Sequence, residues 1–110
     1  MTSTASTIRR RLPNRREHEL INFEYAGHRY TGGLGRFPDG RLAELFVNTS
    51  GRAGGMIEVL ARDSAVLASL ALQHGVKLEA LRRAVLRDPH GEASGPIGRL
   101  LDLISEPDTD

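Results

Sequence analysis

Residues 41–73 read RLAELFVNTSGRAGGMIEVLARDSAVLASLALQ, and the fold class turns on a change of period inside them. Residues 41–48, RLAELFVN, are apolar on both sides of an extended chain and read as a strand. Beyond Asn48 small residues lead into MIEVLARDSAVLASLALQH, where Met56, Leu60, Leu67 and Ala71 recur on one helical face and Val59, Val66 and Leu70 on an adjoining one. Only Glu58, Arg62, Asp63 and Gln73 are strongly polar, so the helix is expected to be buried over most of its circumference.

Upstream, every aromatic residue, Phe23, Tyr25, Tyr30, Phe37 and Phe46, falls between 23 and 46, the window that alternates with period two. Ile21, Phe23 and Tyr25 share one face of a first strand, and Ala26-Gly27 supplies a tight reversal. A second strand runs from about His28 to Phe37; Gly32, Gly33 and Gly35 make it a poor ladder member and point to a bulge or a close backbone approach. Pro38-Asp39-Gly40 is a turn. Downstream, Gly75 is a helix stop, and Lys77 to Arg87 forms a second helix with Leu78, Leu81 and Val85 inward, ended by Asp88-Pro89. Pro96 stands at the first position of a third helix carrying Ile97, Leu100, Leu101 and Ile104. The expected architecture is α+β: a three-stranded antiparallel β-meander over about 18–48, then helices over about 55–74, 77–87 and 96–106 packed on one face. Apolar residues on both faces of a three-stranded sheet favour a homodimer that covers the second face.

The 110 residues suit one domain, expected over 11–106, between a disordered basic arm (1–10) and an acidic tail (107–110). The formal charge of +1 conceals an asymmetry. Arg9, Arg10, Arg11, Arg15 and Arg16 precede the first acid, whereas Asp88, Glu92, Asp102, Glu106, Asp108 and Asp110 face only Arg99 near the end. Charge or glycine interrupts the apolar stretches well short of the roughly 20 residues a membrane span needs, so no membrane partner is expected. The polar, basic N-terminus is not a secretory signal, which makes a cytoplasmic location the default expectation. Cysteine is absent, which excludes disulfides, thiolate–metal sites and thiol redox chemistry carried by these residues.

Gly51-Arg52-Ala53-Gly54-Gly55 before a helix is a candidate anion site, since free N–H groups and the helix dipole favour phosphate; its alternative is a plain strand-to-helix connection. No Walker pattern follows, and Gly33-Leu34-Gly35 has Pro38 where a dinucleotide fingerprint wants glycine. His18, His28, His74 and His90 lack metal-ligand spacing, and Ser50, Ser64, Ser69 and Ser94 lack a nucleophile-elbow context. No catalytic residues, metal or cofactor are therefore expected. Residues 70–83, LALQHGVKLEALRR, resemble a helix-turn-helix corner, although its second helix opens with Leu78, Glu79 and Ala80, which offer bases little.

Read together, several segments resemble the TSCPD-type domain at the C-terminal end of adenosylcobalamin-dependent (class II) ribonucleotide reductases, in a free-standing version. They are Arg11-Leu-Pro-Asn-Arg-Arg16, Phe23, Gly27-His-Arg-Tyr30, Gly33-Leu-Gly35, Asp39-Gly-Arg41, Glu44-Leu-Phe46, Gly54-Gly55 and Ser69-Leu-Ala-Leu-Gln-His-Gly-Val-Lys-Leu78, with Gly95-Pro96 and Leu101-Asp-Leu-Ile104 matching more loosely. The resemblance implies a module associated with deoxyribonucleotide synthesis and, through it, DNA replication. Ribonucleotide reduction needs thiols both for the substrate radical and for electrons, so a chain without cysteine cannot perform it alone. The expected function is a non-catalytic binding or regulatory module related to ribonucleoside-diphosphate reductase, engaging a reductase subunit or a nucleotide. Its candidate ligand residues are Arg11, Arg15, Arg16, His28, Gly51, Arg52, Gly54 and Gly55. The alternative is a small nucleic-acid-binding protein using Arg9 and Arg10 of the arm with Arg82 and Arg83 of the corner.

Overall fold

A computed structural model describes residues 8–10, 18–49 and 55–105. Three strands, β1 (His18–Tyr25), β2 (His28–Arg36) and β3 (Leu42–Thr49), form an antiparallel sheet in the order β1-β2-β3. Three helices follow: α1 (Met56–Gln73), α2 (Leu78–Ala84) and α3 (Pro96–Ser105). This is the expected α+β meander with helices on one face.

The turns stand where the punctuating residues predict them. Ala26 (φ 50°) and Gly27 (φ 81°) both take left-handed conformations, which gives the two-residue hairpin whose twist matches its strands. Gly40 (φ 91°) closes the next turn, its N–H donating to the Phe37 carbonyl at 2.8 Å. α1 ends in a Schellman motif: Gly75 (φ 96°) donates to the Leu72 carbonyl and Val76 to that of Ala71, both at 3.0 Å.

β2, read as a poor ladder member, is the central strand, paired along its length with β1 and over Tyr30–Arg36 with β3, with one irregularity at Gly35/Arg36. Its glycines make room for neighbours. A Cβ at Gly33 would lie 2.0 Å from Cζ of Phe46, and one at Gly32 2.6 Å from a Leu100 methyl. The close approach predicted for this segment is thus side chains lying flat on the backbone of the middle strand.

The core comprises Tyr30, Leu34, Leu45, Val47, Ala61, Ala65, Ala68, Leu72, Leu100 and Leu101. α1 turns its alanine side to the sheet, contrary to the sequence reading. Ala61, Ala65, Ala68 and Leu72 are buried, whereas Met56, Val59, Leu60, Val66, Leu67 and Leu70 face outward and are exposed. Both sides of α1 are apolar, so periodicity could not choose between them; polar side chains beside the alanines supply the reason. β3 is an edge strand with unpaired backbone groups on its outer side. The Ser69 hydroxyl accepts the Leu45 N–H (2.8 Å) and lies within donating reach of the Leu45 and Ala65 carbonyls (2.9 and 2.8 Å). The Gln73 amide donates to the Ala43 carbonyl (3.1 Å), and the Thr49 hydroxyl to Glu58 (3.2 Å). The small side lets the helix come close enough for these groups to cover the edge.

α2 ends at Ala84, short of the Arg87 expected, because Val85 is already extended (ψ 151°) and the chain folds back through an Arg87–Ala93 bridge. That loop is tied to the sheet by the Tyr25 hydroxyl, which donates to the Ala93 carbonyl at 2.9 Å. Arg87 grips Asp102 of α3 through two nitrogens (2.7 and 2.9 Å), and Arg82 of α2 adds a third bond at 3.0 Å. Led by the Arg87 hydrogen bonds, these contacts hold the Asp102 carboxyl at about 2 despite the opposing effect of burial.

Candidate functional site

The two ends of the sheet carry different side chains. At one lie the β1–β2 turn, the start of β2 and the end of β3, since Tyr30 pairs with Thr49. His28 and Gly55 belong to this end. His28 is exposed with its ring edge toward Tyr30 (6.5 Å between centroids), whose phenol burial pushes up in pKa. Gly55 caps α1 in a glycine-only conformation (φ 84°, ψ −166°), its carbonyl accepting the Val59 N–H at 3.3 Å. Gly51, Arg52 and Gly54, with Arg11, Arg15 and Arg16, lie outside the described residues.

At the opposite end the 37–41 turn meets the α1–α2 connection and encloses a cleft of about 330 Å³ lined by Arg36, Arg41, Leu42, Leu72, Val76, Lys77 and Leu78, with Gly40 and Gly75 at its turns. Its wall is aliphatic and its rim cationic. Arg36 donates to Glu19 (3.1 Å) and to the Gly40 carbonyl (3.1 Å). Arg41 stands 3.6 Å from Asp39 and over the Phe37 ring at 5.6 Å. Lys77 has no ion-pair partner among the described residues and carries an extended backbone ahead of α2.

Arg9 and Arg10, proposed for nucleic acid, lie at this same end. Arg10 donates its N–H to the Gln73 carbonyl at 2.9 Å, sets its guanidinium 4.0 Å over the Phe37 ring and pairs with Asp39 at 2.9 Å. The hydrogen bond from Arg10 is the chief cause of the Asp39 carboxyl lying below its usual range. Arg9 donates to the Gln73 side-chain carbonyl. Among the described residues the cluster around the turn therefore holds Arg9, Arg10, Arg36, Arg41 and Lys77 against Glu19 and Asp39, an excess of three positive charges beside an apolar wall.

The remaining alternative residues are divided. Arg82 faces inward to Asp102 and also pairs with Glu79 at 3.0 Å, while Arg83 is exposed and 3.7 Å from Glu79. On the reverse face of the sheet His18 meets Glu44 at 2.9 Å and packs edge-on against Phe46, the Glu44 side chain lying where a Cβ at Gly35 would stand. Among the described residues no group of three or more His, Asp or Glu side chains is placed to hold a metal ion, and no helix is long and apolar enough to cross a membrane.

Sequence reasoning did not single out Arg36, Arg41 and Lys77. Each had a local signal, a cation beside Pro38-Asp39-Gly40 or after Gly75-Val76, but these turns are 35 residues apart and only packing brings them to one cleft.

Over 74 residues, 67% of its length, the chain is 35% identical to the vitamin B12-dependent ribonucleotide reductase of Agrobacterium fabrum; over 73 residues, 66% of its length, it is 36% identical to that of Rhodopirellula baltica. It spans only 6% and 7% of those two proteins. The chain is thus related to a short region of that enzyme. No protein-family model matches it, so the TSCPD resemblance rests on its quoted motifs, and no solved structure matches it significantly.

Proposed function

We propose that this chain is a binding module related to an accessory region of vitamin B12-dependent ribonucleotide reductase, non-catalytic by itself, and that its ligand is a phosphate-bearing nucleotide held in the cleft between the 37–41 turn and the α1–α2 connection. The observation that carries the reading is the composition of that cleft. Leu42, Leu72, Val76 and Leu78 offer an apolar wall of the kind a base or ribose packs on, and Arg36, Arg41 and Lys77 stand at its mouth, where phosphate oxygens would be met. Arginine contributes planar, forked donors and lysine a mobile point charge, a combination suited to a polyphosphate. The similarity to a ribonucleotide-reducing enzyme makes a nucleotide the natural class to test first.

The nucleic-acid reading loses most of its corner, since Arg82 is held by Asp102 and Glu79 and Arg83 lies 3.7 Å from Glu79. Thermal denaturation with ribonucleoside and deoxyribonucleoside di- and triphosphates, with pyrophosphate and with a short DNA duplex separates the two. A ligand at a hundredfold excess over its Kd stabilises the folded state by about 2.7 kcal/mol. A shift with nucleotides that vanishes in the Arg41→Ala, Lys77→Ala double variant supports the cleft. Stabilisation by DNA alone, or a nucleotide shift that the double variant retains, refutes it.

A further inference from the structure

α1 is apolar on two opposite sides, and only one is used by the sheet. On the other, Met56, Val59, Leu60, Val66, Leu67 and Leu70 are 37–68% exposed. At those exposures six such side chains present roughly 600 Å² of apolar surface on one strip, broken by a single charge, at the upper limit of about 300–600 Å² for the largest patch of a typical monomer. The strip is distinct from the cleft and shares no residue with it.

Its length and area suit a second copy of the same helix. Counting outward from Asp63, apolar residues recur symmetrically: Leu60 and Val66 three positions away, Val59 and Leu67 four, Met56 and Leu70 seven. With 3.6 residues per turn all of these fall on one side of the helix, with Asp63 at its midline. A second α1 laid antiparallel and crossing at Asp63 brings Val59 of one copy level with Leu67 of the other, Leu60 with Val66 and Met56 with Leu70, the pair nearest the midline facing most directly, and the two-fold repeats each pair. The same patch thus meets itself, as in an isologous contact. Burying the whole strip on both copies removes at most roughly 1,200 Å², the lower end of a specific interface. We propose that α1 is the two-fold contact of a homodimer, with a second copy of this chain covering its outer face.

Asp63 is the one charge on the midline, and the two-fold brings it toward its own counterpart, which weakens the contact. Arg62, paired with Glu58 at 3.3 Å, stands at the rim. Light scattering of the full chain at tens of micromolar is therefore expected to give twice 12.0 kDa, and Leu67→Glu, at an exposed position, to give one chain mass with unchanged circular dichroism. Asp63→Asn is expected to tighten dimerisation by about tenfold.

A cross-link gives a second, independent readout because the chain has no cysteine of its own. Helices packed 8–10 Å apart, with Cα atoms about 2.3 Å from each axis, bring Cα atoms at the crossing point to about 3.5–5.5 Å, overlapping disulfide range. Asp63→Cys is thus expected to oxidise to a covalent dimer, and Glu79→Cys, exposed on α2, is not. A monomeric wild type, a dimer that survives Leu67→Glu, or cross-linking no faster at 63 than at 79 would each overturn the proposal.

Discussion

Replacing Asp102 by asparagine should cost this protein about 2 kcal/mol at neutral pH, and the deficit should fade in acid. The Asp102 carboxyl is only 15% exposed and accepts three hydrogen bonds from Arg82 and Arg87 at 2.7–3.0 Å. Its pKa falls from 3.8 to about 2, chiefly through Arg87. At about 1.4 kcal/mol per pH unit that displacement corresponds to about 2 kcal/mol. The same contacts raise the pKa of both arginines, and the energy is one quantity seen from two sides. Because the folded-state value is depressed, the stabilisation is complete above about pH 4 and is lost as pH falls through 2. Asparagine keeps the shape without the charge and resembles the protonated acid. Urea unfolding of wild type and Asp102→Asn at pH 7 should differ by about 2 kcal/mol, or roughly 10 °C in Tm for a domain of this size. At pH 3 about half of that should remain, and near pH 2 little. A deficit below about 0.5 kcal/mol at pH 7, or one of equal size at pH 7 and pH 2.5, would refute the assignment of this cluster as the clamp between α2 and α3.

Three further outcomes test other parts of the structure. Ser69→Ala leaves the Leu45 N–H and carbonyl at the β3 edge without their hydroxyl partner and should cost about 1–3 kcal/mol, with faster hydrogen exchange at the Leu45 amide relative to Val47. Gly33→Ala forces the Phe46 ring off the sheet and should destabilise by about 1–3 kcal/mol, a loss partly relieved when Phe46 is also changed to alanine; equal costs in both backgrounds would show that the ring is not the obstacle. The nucleotide-induced rise in Tm should shrink as salt increases from 50 to 300 mM, since Arg36, Arg41 and Lys77 sit at a solvent-open mouth, and a salt-independent shift would point to the apolar wall alone.

The candidate site was less legible than the fold. Lys77 and Arg41 each sit beside a turn that sequence locates accurately, yet nothing in either segment states that the two turns meet. Arg82 shows the converse. In sequence it is an arginine on a helix-turn-helix-like corner; in the structure Asp102, twenty residues on, has already engaged it. A cation's availability depends on carboxylates brought to it by packing, and that information is absent from local spacing.

Sequence by itself determined the order of the elements and, the end of α2 apart, the places where they turn. The shift from period two to period 3.6 after Asn48, the left-handed glycines at 27, 40 and 75, and Pro96 at the head of α3 are local constraints, settled by the steric options of a few residues. Only the tertiary structure decided which side of α1 is inside. Large side chains on one face and alanines on the other both satisfied the apolar pattern. The choice fell to the alanines because only they let Ser69 and Gln73 reach the open backbone of β3, where buried N–H and carbonyl groups had to find partners. The larger hydrophobic face was left outside, available to another molecule.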